Sequence, residues 1–179
     1  FYKQSKDTGD FPMSTLKVDT IQGKTTAGTV AMPAGHVIQI VKSTGGTSSA
    51  TTSTSFVATD ISVNITPKFN NSLIRIDVQG VWWLHLSPSS EEYFKTTVYR
   101  DSTNIGSATG SRVNQFRSGY VDSGNAFNYN NGFTIFTFDT PNTTSQVTYK
   151  LYVHSGSGNE VRYSDATTEN TITAMEIKQ

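Results

Sequence analysis

Residues 72–86 read SLIRIDVQGVWWLHL, and in an extended chain, where successive side chains point to opposite faces, they sort by parity. Ile74, Ile76, Val78, Trp82, Leu84 and Leu86 fall on one face, and Arg75, Asp77, Gln79, Val81, Trp83 and His85 on the other. The first face is almost wholly apolar and must lie against a core, so the stretch is a strand long enough to cross a whole sheet. Gly80 leaves a place where the strand can bend or another backbone can approach. The second face starts polar and turns apolar at Val81 and Trp83, a pair that a solvated face does not usually carry. Two covers are open for Trp83, a loop of its own chain or another subunit; we take the second.

The flanking sequence repeats the alternation. HVIQIVK (36–42) is a first strand, and STGGTSSATTSTS (43–55) is a loop by composition. Ile61, Val63 and Ile65 alternate with Ser62 and Asn64 in a second strand, which Pro67 ends because it has no amide to donate. After the exposed loop SPSSEE (87–92), YFKTTVYR (93–100) is a strand, and Asp101 to Asn104 turns the chain back through Ile105 in a hairpin. SRVNQF (111–116) can form a strand, whereas SGYVDSGNAFNYNNG (118–132) reads as a loop. FTIFTF (133–138) is apolar on both faces and is expected in a sheet interior. Val147, Tyr149, Leu151 and Val153 share one face of a later strand; VRYS (161–164) is short, and NTITAMEIK (170–178) closes the chain. Eight to ten strands at these spacings suit an all-β sandwich or jelly roll.

Composition narrows the function classes. The net charge is zero and only 16% of residues are charged, which gives no electrostatic footprint for nucleic acid or an anionic membrane. No apolar run approaches a membrane span, and residues 1–12 lack the apolar core of a signal peptide. Cysteine is absent, so disulfides and thiolate chemistry are excluded. Met13 opens a stretch that reads like a natural start. Residues 1–35 are polar, with Leu16, Val18 and Ile21 too widely spaced to bury alone, and are expected to form an extended arm or stem ahead of a domain spanning 36–179.

Four pieces together resemble a known family. SVNITPKFNNSLIRIDVQG, VYRDSTNIG and TITAMEI resemble the corresponding strands and turns of C1q/TNF-like jelly-roll domains in bacteriophage virion proteins, and STLKVDTIQG resembles the arm ahead of such domains in tail-fibre-like proteins. The resemblance implies a homotrimeric jelly-roll β-sandwich on a virion, as a fibre or fibre tip attaching to a host surface, or as a head-decoration protein stabilising the capsid. It implies contact with other virion proteins through the arm, and packing about a three-fold axis through one sheet of each sandwich. Such an interface would bury Val81, Trp83 and Tyr152. Residues 106–132 match nothing in the family.

Catalytic and cofactor chemistry has little support. Gly23-Lys24-Thr25 resembles the end of a phosphate-binding loop, but Val18 stands where the first glycine belongs and no helix follows, so no cofactor is expected. His36, His85 and His154 are scattered, although a trimer would bring three copies of an axial His85 together as a metal site. Glu91, Glu92, Asp122, Asp139, Glu160, Asp165 and Glu169 fall in expected loops without the spacing of a glycosidase pair. The chain is expected not to be an enzyme. The best ligand-binding loop is 117–131, where Tyr120, Phe127 and Tyr129 offer flat faces and Asp122, Asn125 and Asn128 offer short polar groups. This mix suits a host glycan or protein, or a cellular carbohydrate-binding module, though the same aromatics could pin the loop to its own sandwich.

Overall fold

A computed structural model of the chain describes residues 33–45, 49–86, 93–106, 114–117, 127–163 and 169–179, without the side chains of 49, 85–86, 114–117 and 127–129. The expected arm, over most of its length, therefore lies outside the described residues. Eleven strands are present among the described residues: β1 (Val37–Gly45), β2 (Ser49–Thr51), β3 (Val57–Ile65), β4 (Leu73–Leu86), β5 (Tyr93–Arg100), β6 (Thr103–Asn104), β7 (Asn114–Arg117), β8 (Phe127–Asp139), β9 (Val147–Ser155), β10 (Val161–Tyr163) and β11 (Asn170–Ile177). The count exceeds the expected eight to ten because very short pairings add strands, β2 among them inside the Ser/Thr-rich stretch read as loop.

All strand pairs are antiparallel and form two sheets. In sheet A, β4 pairs with β8 along one edge and with β11 and then β10 along the other, while β1 and β2 pair outside β11 and β10. Sheet B runs β3-β9-β5-β6, with β7 also on β5. The inward parity of β4, with Ile74, Ile76, Val78, Trp82 and Leu84 all buried, meets Phe94, Tyr149 and Leu151 from sheet B in one core, making an all-β sandwich. Trp82 stacks on Phe94 at 6.0 Å between ring centroids, and Phe94 meets Phe133 edge-on at 6.1 Å.

Sheet A is four strands wide because β10 and β11 follow one another along a single edge of β4, Tyr163 opposite Trp82 and Thr171 opposite Gln79. Between these pairings Gly80 and Val81 lack a ladder partner on that edge among the described residues. Asn170, fully buried, turns its side chain into the gap, and its Oδ1 accepts the Val81 N–H at 3.0 Å. That side chain occupies the space a Cβ on Gly80 would need, with Asn170 Cγ at 2.6 Å and Phe133 Cε1 at 3.0 Å from it. Gly80 thus admits a neighbouring side chain, where bending or an approaching backbone had been expected.

Two polar clusters tie elements together. The buried Glu176 carboxylate accepts at Oε1 from Lys68 N (2.7 Å), Phe69 N (3.3 Å) and Ser72 Oγ (2.6 Å), and at Oε2 from Gln39 Nε2 (2.6 Å). It fastens the turn after Pro67 to β1 and β11. Asp139 of sheet A takes two bonds from Arg100 Nη1, at 2.8 and 2.7 Å, and one from Tyr149 Oη at 2.8 Å, both from sheet B. The turn after β5 behaves as expected: Arg100 pairs with Thr103 around Asp101, whose φ of 52° is tolerated by Asp.

Two expectations need correction. FTIFTF is not interior: among the described residues β8 pairs only with β4, so it is an edge strand. Phe133 and Ile135 fill the core, while Phe136 and Phe138 stand outward, 58% and 46% exposed. The stretch 118–132 is not wholly a loop either, since β8 begins at Phe127; Phe127, Asn128 and Tyr129 pair with Leu86, His85 and Leu84. The length of β4 explains this, because an available ladder partner overrides the weak strand propensity of an Asn-rich segment.

Candidate interaction face

Register fixes which residues share the outer face of sheet A, because directly opposed residues in antiparallel strands point the same way. From β1 across to β8 the face carries Ile40, Met175, Arg75 and Phe138 in one row, and Lys42, Thr173, Asp77 and Phe136 in the next. Val37, Ile177 and Leu73 lie beyond the first row. On the other side come Thr44, Thr171, Gln79 and Thr134, then Val81 beside Gly132, and finally Ala50, Arg162, Trp83 and Asn130.

Five large apolar side chains among the described residues are strongly exposed, and four of them, Val37, Ile40, Phe136 and Phe138, stand on this face. The fifth, Phe69, is in the turn before β4 with Lys178 Nζ 5.2 Å from its ring centre. The outer face of sheet B differs in character: Asn64, Thr148, Lys150, His154 and Lys95 line it around a stacked Tyr99–Tyr152 pair, 3.8 Å between centroids.

One ion pair lies in the middle of the apolar rows. Arg75 donates from Nε to both Asp77 oxygens, at 3.1 and 3.0 Å, and from Nη2 to Oδ1 at 2.9 Å. Its guanidinium also lies 5.5 Å from the centre of the Phe136 ring. Hydrogen bonding to Asp77, and then its charge, raise the Arg75 pKa above the ordinary arginine value.

Of the residues expected at a subunit interface, Val81 and Trp83 are on this face, half-buried within the single chain. The Trp83 ring has a cover from its own chain, Arg162 of β10 at 4.5 Å from the ring centre, itself held by Glu160 at 2.7 Å. Tyr152 stands on the outer face of sheet B, so these three residues do not share one surface. Parity assigns a residue to a face of its strand but not the strand to a sheet. Tyr120, Asp122 and Asn125 lie outside the described residues, and Phe127, Asn128 and Tyr129 are strand residues whose side chains are likewise outside them. The same is true of the His85 side chain; among the described residues no three His, Asp or Glu converge as metal ligands.

The reading did not single out Val37, Ile40, Phe136 and Phe138, the exposed large apolar residues of this face. The signal for the last two was present in FTIFTF, whose second apolar face stands exposed among the described residues. The chain matches no protein-family model, and a search of the curated proteins finds no relative.

Proposed function

We propose that the chain is a non-enzymatic virion structural protein, a homotrimeric fibre or fibre-tip module of C1q/TNF-like jelly-roll type, anchored through residues 1–35 and serving host-surface attachment. The observation that carries this reading is the group of exposed apolar residues Val37, Ile40, Phe136 and Phe138 on the outer face of sheet A. An edge strand bearing two exposed phenylalanines is an aggregation hazard unless something covers it, and closed symmetry among sister copies is one way to do so. The family resemblance makes the number three.

The polarity of the sandwich supports the rest. Gly35, His36 and Lys178 are tied at one end of the sandwich, through Gly35 N to Lys178 O (2.8 Å) and Lys178 N to His36 O (2.9 Å). β4 ends at the opposite pole beside the start of β8, and residues 87–92 and 118–126, which follow and precede those strand ends, are the polar and aromatic stretches suited to recognition.

The test is competition. Excess purified chain should slow adsorption of the particle that carries it to its host. Unchanged adsorption would reject attachment and favour head decoration.

A further inference from the structure

We infer that the sandwich core binds one structural water molecule at the break between β10 and β11, held by Asn170 of sheet A and Thr96 of sheet B, so that it bridges the two sheets.

Two polar groups define the site. Asn170 and Thr96 are both fully buried, and neither Asn170 Nδ2 nor Thr96 Oγ1 has a hydrogen-bond partner among the described residues. Chemistry fixes which amide atom is which: the Val81 N–H can only donate, so the Asn170 atom 3.0 Å from it is the oxygen, and the NH2 group is the one left over. The Asn170 side chain lies on the core side of Gly80, because its Cγ is 2.6 Å from where an inward Cβ would stand. Thr96 enters the same core from the facing sheet, opposite the core residue Val153 in register.

Strand levels bring the two groups together. β4 and β5 run in opposite directions across the core, tied near one end by Trp82 stacked on Phe94 and near the other by Arg100 on Asp139, the register partner of Ile74. Thr96 is two residues on from Phe94, and Gly80 two residues back from Trp82. Thr96 therefore faces the inward position of β4 that has no side chain, the position over which Asn170 leans. Phe133, with Cε1 3.0 Å from the same point, meets Phe94 edge-on, so aromatic rings wall the site.

The occupant follows from the chemistry of the two groups. A buried donor or hydroxyl left unpaired weakens folding by roughly tenfold or more. Asn170 Nδ2 and Thr96 Oγ1 do not bond each other, so a third group must serve both. Water is the smallest molecule that accepts from an amide and exchanges a bond with a hydroxyl, and enclosed polar sites of this kind are where proteins hold it. Bound there, it gives the sheets a second polar tie through the core, beside the cluster of Arg100, Asp139 and Tyr149.

The test is a crystal structure of the full chain that shows ordered water, together with urea unfolding of the parent, Thr96→Ser and the isosteric Thr96→Val. The parent should show one water within about 3.2 Å of both Asn170 Nδ2 and Thr96 Oγ1. Thr96→Ser keeps the hydroxyl and should keep the water. Thr96→Val should lose it and lower the folding equilibrium constant by roughly tenfold. A parent structure with no water there, or with the two side chains bonded directly, overturns the inference. So does a Thr96→Val chain more stable than the parent, because removing a hydroxyl can stabilise only if that hydroxyl had no partner. If Thr96→Val does not fold, the parent structure decides.

Discussion

Glu176 closes the sandwich at the pole where Gly35 meets Lys178, and its environment sets what its loss would do. Removing this buried carboxylate takes the acceptor from four donors at once, the buried Ser72 hydroxyl among them. Glu176→Ala should lower unfolding free energy by about 3 kcal/mol in urea titrations; a loss below about 1 kcal/mol would show that the turn finds other partners. Gly80 poses the opposite problem, excess volume. Gly80→Ala drives a methyl into Asn170 and against Phe133, and should cost about 2 kcal/mol. Asn170→Ala should also destabilise alone, by orphaning the Val81 amide, yet the double variant should cost clearly less than the two singles together. Strict additivity would place the two side chains apart. Gly80 was recognisable in the sequence as a gap within a strong strand, but its filler, ninety residues later, was not, because no local pattern ties Asn170 to it.

Among elements, β5, β8 and β9 are joined across the two sheets by Arg100, Asp139 and Tyr149. Burial, then the hydrogen bond and negative charge of Asp139, push the Tyr149 pKa well above its ordinary value, against a smaller opposing effect of Arg100. The folded state therefore holds this proton more tightly than the unfolded chain does. The resulting stability is present in full below the ordinary tyrosine value of about 10 and is lost progressively as pH rises from there toward the raised folded value, at about 1.4 kcal/mol per pH unit. Tyr149→Phe should cost about 1 to 2 kcal/mol at neutral pH and flatten this alkaline decline. An equally steep decline in the variant would assign the alkaline sensitivity to other groups. Strand faces were the most legible feature of the sequence: the inward set read from β4 is buried at every position whose side chain is described. Strand neighbours were not legible. Two apolar faces on FTIFTF made an interior position the ordinary inference; in the fold only the Phe133–Ile135 face is covered, and Phe136 and Phe138 stand outward. Tyr152 was misplaced for a related reason, since its alternation is compatible with either sheet.

For the whole molecule, the arrangement of exposed apolar residues separates folding from assembly. Phe136 and Phe138 meet edge-on at 6.2 Å on the surface and are absent from the core, so Phe136→Ser should leave monomer stability within about 0.5 kcal/mol of the parent in chemical denaturation. The same substitution removes one anchor per copy from the proposed contact, so it should raise the fraction of free chains at fixed concentration. If unfolding is strongly affected instead, Phe136 serves the fold and the face is not reserved for a partner. The most direct measurement is the solution mass of the full chain by light scattering at micromolar concentration. A dry outer face of sheet A predicts a particle of three 19.5 kDa chains. A particle of one chain, with Phe136 and Phe138 left in water, would contradict it.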